Sequence, residues 1–82
     1  MPYIKQIERP TMDVVVEAME QAGVQANGDL NYILFKYCKR YIPRNYNSLK
    51  NYCGELRQCA TEIERSILGP YEDEKEAENG PI

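Results

Sequence analysis

Leu30-Asn31-Tyr32-Ile33-Leu34-Phe35-Lys36-Tyr37-Cys38-Lys39-Arg40-Tyr41 is the stretch whose reading decides the fold of this chain. Its residues Leu30, Ile33, Leu34, Tyr37, Cys38 and Tyr41 fall at i, i+3, i+4, i+7, i+8 and i+11, which is one apolar stripe along an α-helix. Tyr32, Lys36, Lys39 and Arg40 lie off that stripe, and the cations gather toward the C-terminal end, where they suit the helix dipole. Asp29 stands ahead as an N-cap candidate, and Pro43 closes the segment. The spacing predicts a helix over about 30–41.

Downstream, Arg44-Asn45-Tyr46-Asn47-Ser48 is a linker rich in turn and cap residues, with Asn47 or Ser48 expected to open the longest helix, to about Leu68. Leu49, Tyr52, Cys53, Leu56, Ala60, Ile63 and Ile67 hold helical period along it, with Cys59 on the flank. Gly54 inside it costs about 1 kcal/mol against alanine, and lets another helix cross closely. Gly69-Pro70 is expected to end the helix, leaving a tail, Tyr71 to Ile82, too polar to fold independently.

Upstream, residues 1–9 read as an extended arm ended by Arg9-Pro10. Thr11 or a neighbour is expected to cap a helix reaching about Ala22, with Met12, Val15, Val16, Met19 and Ala22 on its apolar face. The run Val14 to Val16 is also strand-like. Gly23 is the natural stop, and Val24 to Gly28 form a turn.

The expectation is an all-α chain: a small bundle of about three helices, with the second and third forming an antiparallel hairpin. Residues 1–70 form a helical domain with its N-terminal arm, and 71–82 an acidic C-terminal tail. The stripes cannot bury one another fully in a chain this short, so homo-oligomerisation is the expected completion.

Charge is unevenly spread over the 82 residues, whose formal net charge is −3. Between Lys36 and Arg57 six cations face a single acid, Glu55, and Tyr37, Tyr41, Tyr46 and Tyr52 are interleaved among them. The last thirteen residues carry five acids and one lysine. A sequence pI near 4.9 disfavours generic DNA or RNA binding, which asks for a basic domain. A small anion needs only a few cations in one place.

Catalysis finds little to work with. The chain has no histidine to activate Cys38, Cys53 or Cys59, and each of these cysteines is expected to be buried and structural. Their odd number, with no signal peptide ahead, reads as a reduced cytoplasmic protein without disulfides. No metal set, cofactor motif, phosphate loop or membrane span is legible, so the reading is not an enzyme. Glu62, Glu64 and Arg65 are expected to form ordinary intrahelical pairs.

Lys36, Lys39, Arg40, Arg44, Tyr46, Asn47 and Lys50 are the candidate ligand-binding residues. Lysine and arginine neutralise phosphate, tyrosine stacks on a base, and the first turn of a helix donates N–H groups to oxygen. The expected function is non-enzymatic binding of a small phosphorylated ligand by a homo-oligomer. The alternative is a protein-interaction or adaptor module binding an acidic protein partner. The plainest reading of the same residues is a solvated helix side with tyrosines packed at a subunit contact.

Met1-Pro2-Tyr3-Ile4, Gly28-Asp29-Leu30-Asn31-Tyr32 and Gly69-Pro70-Tyr71-Glu72-Asp73-Glu74-Lys75 with Glu78-Asn79-Gly80 together resemble a family of small uncharacterised bacterial and phage proteins. Members share Pro-Tyr starts and Pro-Tyr-Glu-Asp tails, and the resemblance spans nearly the whole chain. It implies no catalytic residue. A phage setting adds an analogy by size alone: some phage proteins this small are oligomers that sequester nucleotide immune signals of the host.

Overall fold

The computed structural model describes residues 4–81, and every α, 3-10 or π element among them is helical, with no strand. The all-α expectation is met. Four α-helices appear: α1 (Arg9–Gln21), α2 (Gly28–Tyr41), α3 (Tyr46–Ile63) and α4 (Gly69–Asn79). The last two are joined without a break, so the four helices form three rods, the number the sequence predicts. The chain divides into two compact units at Tyr37/Cys38, inside α2.

In the first unit, residues 1–3 of the expected extended arm lie outside the described residues, and Gln6–Glu8 correct the rest of it. They form a 3-10 turn closed by Glu8 N–H donating to Lys5 O at 2.9 Å. This turn feeds directly into α1, which therefore starts at Arg9 rather than after a Thr11 cap. Pro10 fits the first helical turn because its missing N–H has no partner to lose there. Val14 to Val16 are helical despite their strand preference. At the other end Gly23 takes φ +69°, Gly23 N–H donates to Glu20 O at 3.0 Å and Val24 N–H to Met19 O at 3.1 Å. Those two bonds are a Schellman cap, and Met19 and Val24, the apolar pair such a cap brings together, are both half-buried.

The start of α2 also differs from expectation. Asn27, not Asp29, is the cap: its Oδ1 accepts Asp29 N–H at 2.8 Å, and its carbonyl accepts Asn31 N–H at 3.2 Å. Asp29 sits within the first turn, where its charge suits the dipole, and its Oδ2 accepts Gln25 N–H at 3.2 Å. Two cap-type residues, two positions apart, competed for one position, and spacing alone did not separate them. Four of the six stripe residues are covered as the sequence put them, Leu30, Ile33, Leu34 and Cys38 being half-buried, whereas Tyr37 and Tyr41 are exposed, as is Phe35 off the stripe.

In the second unit Asn45 caps α3, its Oδ1 accepting Ser48 N–H at 2.9 Å and its carbonyl accepting Leu49 N–H at 3.1 Å. The helix thus opens one or two residues before the expected Asn47 or Ser48. It also fails to stop at Gly69-Pro70. Pro70 has no N–H for the carbonyl four residues back, and its ring would crowd that oxygen. The preceding turn widens instead: Glu64–Leu68 is a π turn, and Gly69 N–H donates to Glu64 O, five residues back. A Cβ on Gly69 would stand 3.0 Å from that same oxygen, so glycine suits the widened turn. Beyond it the expected polar tail is helical as α4, ending where Gly80 takes φ +84°. Glycine and proline here redirect a helix rather than terminate it.

No described residue is fully buried. Leu56, Ile63 and Ile67 of the α3 stripe are 37%, 49% and 65% exposed. Among the described residues of the second unit, nothing beyond the helix's own backbone lies within 4 Å of where a Cβ on Gly54 would stand.

Candidate functional site

The basic segment divides between the units. Lys36 belongs to the first, and its Nζ is already engaged, donating to Tyr32 Oη at 2.6 Å and lying 5.0 Å from that ring's centroid. It is half-buried along its stem. Both groups lie one helical turn apart on α2, which is why they meet. Of the predicted site residues, Lys36 is the one whose ammonium is already hydrogen-bonded within its own helix.

The second unit carries the other six. Lys39 and Arg40 occupy the last turn of α2, where positive charge opposes the carbonyl end of the dipole. Arg44 follows in the linker, whose backbone is tightened by Asn45 N–H donating to Pro43 O at 2.9 Å. Tyr46 and Asn47 are the first two residues of α3. The Asn45 cap takes Ser48 N–H, and the N–H groups of Tyr46 and Asn47 precede the first intrahelical bond. Lys50 lies one turn on, with Nζ 5.6 Å from the Tyr46 ring centroid, and the Tyr46 side chain is 77% exposed. Lys39, Arg40, Arg44, Lys50 and Arg57 form no ion pair among the described residues. Ion pairs form between Arg65 and Glu62 at 3.4 Å, as the sequence suggests, and between Lys75 and Glu78 at 3.1 Å, both three residues apart on their helices.

Chemically, the start of α3 is an exposed aromatic face with a lysine against it, two helix N–H groups and an arginine next door. It holds no acid until Glu55. Concavities occur elsewhere. One of about 460 Å³ in the first unit is lined by Ala22, Val24, Gly28, Asp29, Tyr32 and Ile33. Another, about 400 Å³, lies along α4 against Asp73, Glu76, Ala77, Gly80 and Pro81. The sequence reading missed the first because it depends on the Schellman turn setting Ala22 and Val24 against the opening of α2, and neither end is chemically distinctive.

The cysteines need a correction. Cys38 is half-buried, but Cys53 and Cys59 are exposed thiols, not buried structural ones. They follow the apolar period of α3, and that face is uncovered. Among the described residues no group of three or more histidine, cysteine or acidic side chains is placed to hold a metal ion, and no helix is long and apolar enough to cross a membrane.

No curated protein and no solved structure matches this chain. One family model does, over its whole length. By the match to residues 1–82, the chain belongs to the family described as a domain of unknown function, DUF6899.

Proposed function

We propose that this protein is a non-enzymatic, homo-oligomeric binding protein whose α2–α3 junction takes a small phosphorylated ligand. The supporting observation is the cation set of the second unit: Lys39, Arg40, Arg44 and Lys50 form no ion pair among the described residues, and they flank helix N–H groups and the exposed Tyr46 ring. Phosphate asks for the charge and the N–H donors, and a nucleobase for the ring. Asn47 adds a polar side chain in the same first turn. Sequestration of a nucleotide signal would need only tight binding and slow release, and neither requires a nucleophile. Exposed apolar residues along α1 and α3, with Phe35, Tyr37 and Tyr41 of α2, support the homo-oligomer.

Native mass spectrometry of the protein, alone and with cyclic and linear nucleotides, tests this. A defined oligomer should gain nucleotide mass in fixed stoichiometry, and Arg40→Ala with Arg44→Ala should weaken binding by at least about tenfold, the scale of losing two charge-assisted phosphate contacts. An oligomer indifferent to every nucleotide would discard the ligand and leave an acidic protein partner as the occupant of the same cations.

A further inference from the structure

α4 is a helix without an evident reason to be one. Its outward faces carry Glu72, Asp73, Glu74, Glu76 and Glu78, with Lys75 the single cation, and it has no apolar stripe to bury. Helices polar all round need external support. Glu76 and Glu78 also crowd the carbonyl end, where negative charge is unfavourable. Lys75 relieves Glu78 alone. The same unit holds the opposite problem in Lys39, Arg40, Arg44, Lys50 and Arg57, which have one acid, Glu55, among them.

One chain cannot solve both. α3, the π turn and α4 run as one continuous helix, so Lys50 and the middle of α4 are on the order of 35 Å apart at the usual rise per residue. That is far beyond side-chain reach. A second copy laid antiparallel brings them together, because the basic start of one long helix then meets the acidic end of the other, twice, by symmetry. A two-fold axis near Ala60–Glu64 also sets the uncovered apolar residues Leu56, Ile63 and Ile67 against their counterparts. The π turn contributes: its extra residue rotates everything after it by about 100°. That rotation brings Leu68 onto the side of the Leu49–Ile63 stripe and leaves Tyr71 at its edge.

We infer that this chain pairs with a second copy through antiparallel long helices, each α4 lying along the Arg44–Arg57 stretch of its partner. The inference rests on the self-association proposed above and deepens it by naming the surface. It also makes α4 a tethered competitor for the cations of the ligand site, so an anionic ligand binds at the expense of this contact.

Two reciprocal variants test it. Variant one is Lys50→Glu with Arg57→Glu; variant two is Glu72→Lys, Glu74→Lys and Glu76→Lys. Sedimentation equilibrium should show each alone dissociating with a constant raised by about tenfold or more, the scale of several lost surface pairs. An equimolar mixture should regain the wild-type constant as a heterodimer, which misfolded proteins could not do. The wild-type constant should also rise with salt, as screened pairs require. Variants that associate as wild type does, or a salt-independent wild type, would overturn the α4 contact while leaving self-association standing. A wild type that is monomeric at every concentration would overturn both.

Discussion

The start and the end of the long helix are built on opposite terms. At the start, Asn45 caps the first turn through Ser48 N–H, Tyr46 and Lys50 brace one another, and Leu49, Tyr52 and Leu56 begin an apolar stripe. At the end, α4 opens on a proline, has no side-chain cap, and carries carboxylates on nearly every face. One end has local reasons to be helical; the other is carried there by the turn that precedes it. Local capping therefore explains α3, whereas α4 is helical by continuation and, on the account above, by the charge of a partner.

The strongest way to break this contrast is to strike the stripe. Leu56→Asp with Ile63→Asp should abolish self-association and remove most of the far-ultraviolet helical signal, since helices without tertiary support are marginal in water. Sedimentation and circular dichroism together check this. Retained helicity in a monomer would show that the helices stand without burying that face.

A smaller effect separates the two ends. Asn45→Ala should cost about 1 kcal/mol in urea unfolding, the usual worth of an N-cap. No single side chain at the entry to α4 should cost as much through capping, because none caps it.

Gly54 and Gly69, in the long helix, give the finest comparison. Gly54→Ala should stabilise by about 1 kcal/mol, because the site is open and alanine is the better helix former. Gly69→Ala should gain less, or lose, because its Cβ meets the Glu64 carbonyl at 3.0 Å. Thermal melts of the two variants side by side measure the difference. An equal gain at both would mean that the π turn relaxes without cost.

How much of this was legible follows the same division. The α2 stripe was readable because Leu30, Ile33, Leu34 and Cys38 repeat at helical spacing, and periodicity is what burial selects. Gly23 was readable as a stop because its positive φ is one that other residues adopt with strain. The caps were displaced by two or three residues, since Asn27 and Asp29, like Asn45, Asn47 and Ser48, are competing cap-type candidates. α4 was not legible: Gly-Pro ordinarily ends a helix, and only a five-residue hydrogen bond, invisible in composition, carries the chain past it. The cations were visible as a cluster, but not the division that leaves Lys36 held by Tyr32 and the other six site residues in the second unit.

The central claim is that these helices are completed by another copy of the chain, because no described residue is fully buried within one. Circular dichroism and sedimentation equilibrium on the same wild-type dilution series test it most directly. The account predicts that helicity and assembly fall together on dilution, with a melting temperature that rises with protein concentration. A monomer that keeps its full helicity and melts cooperatively at a temperature independent of concentration would contradict it.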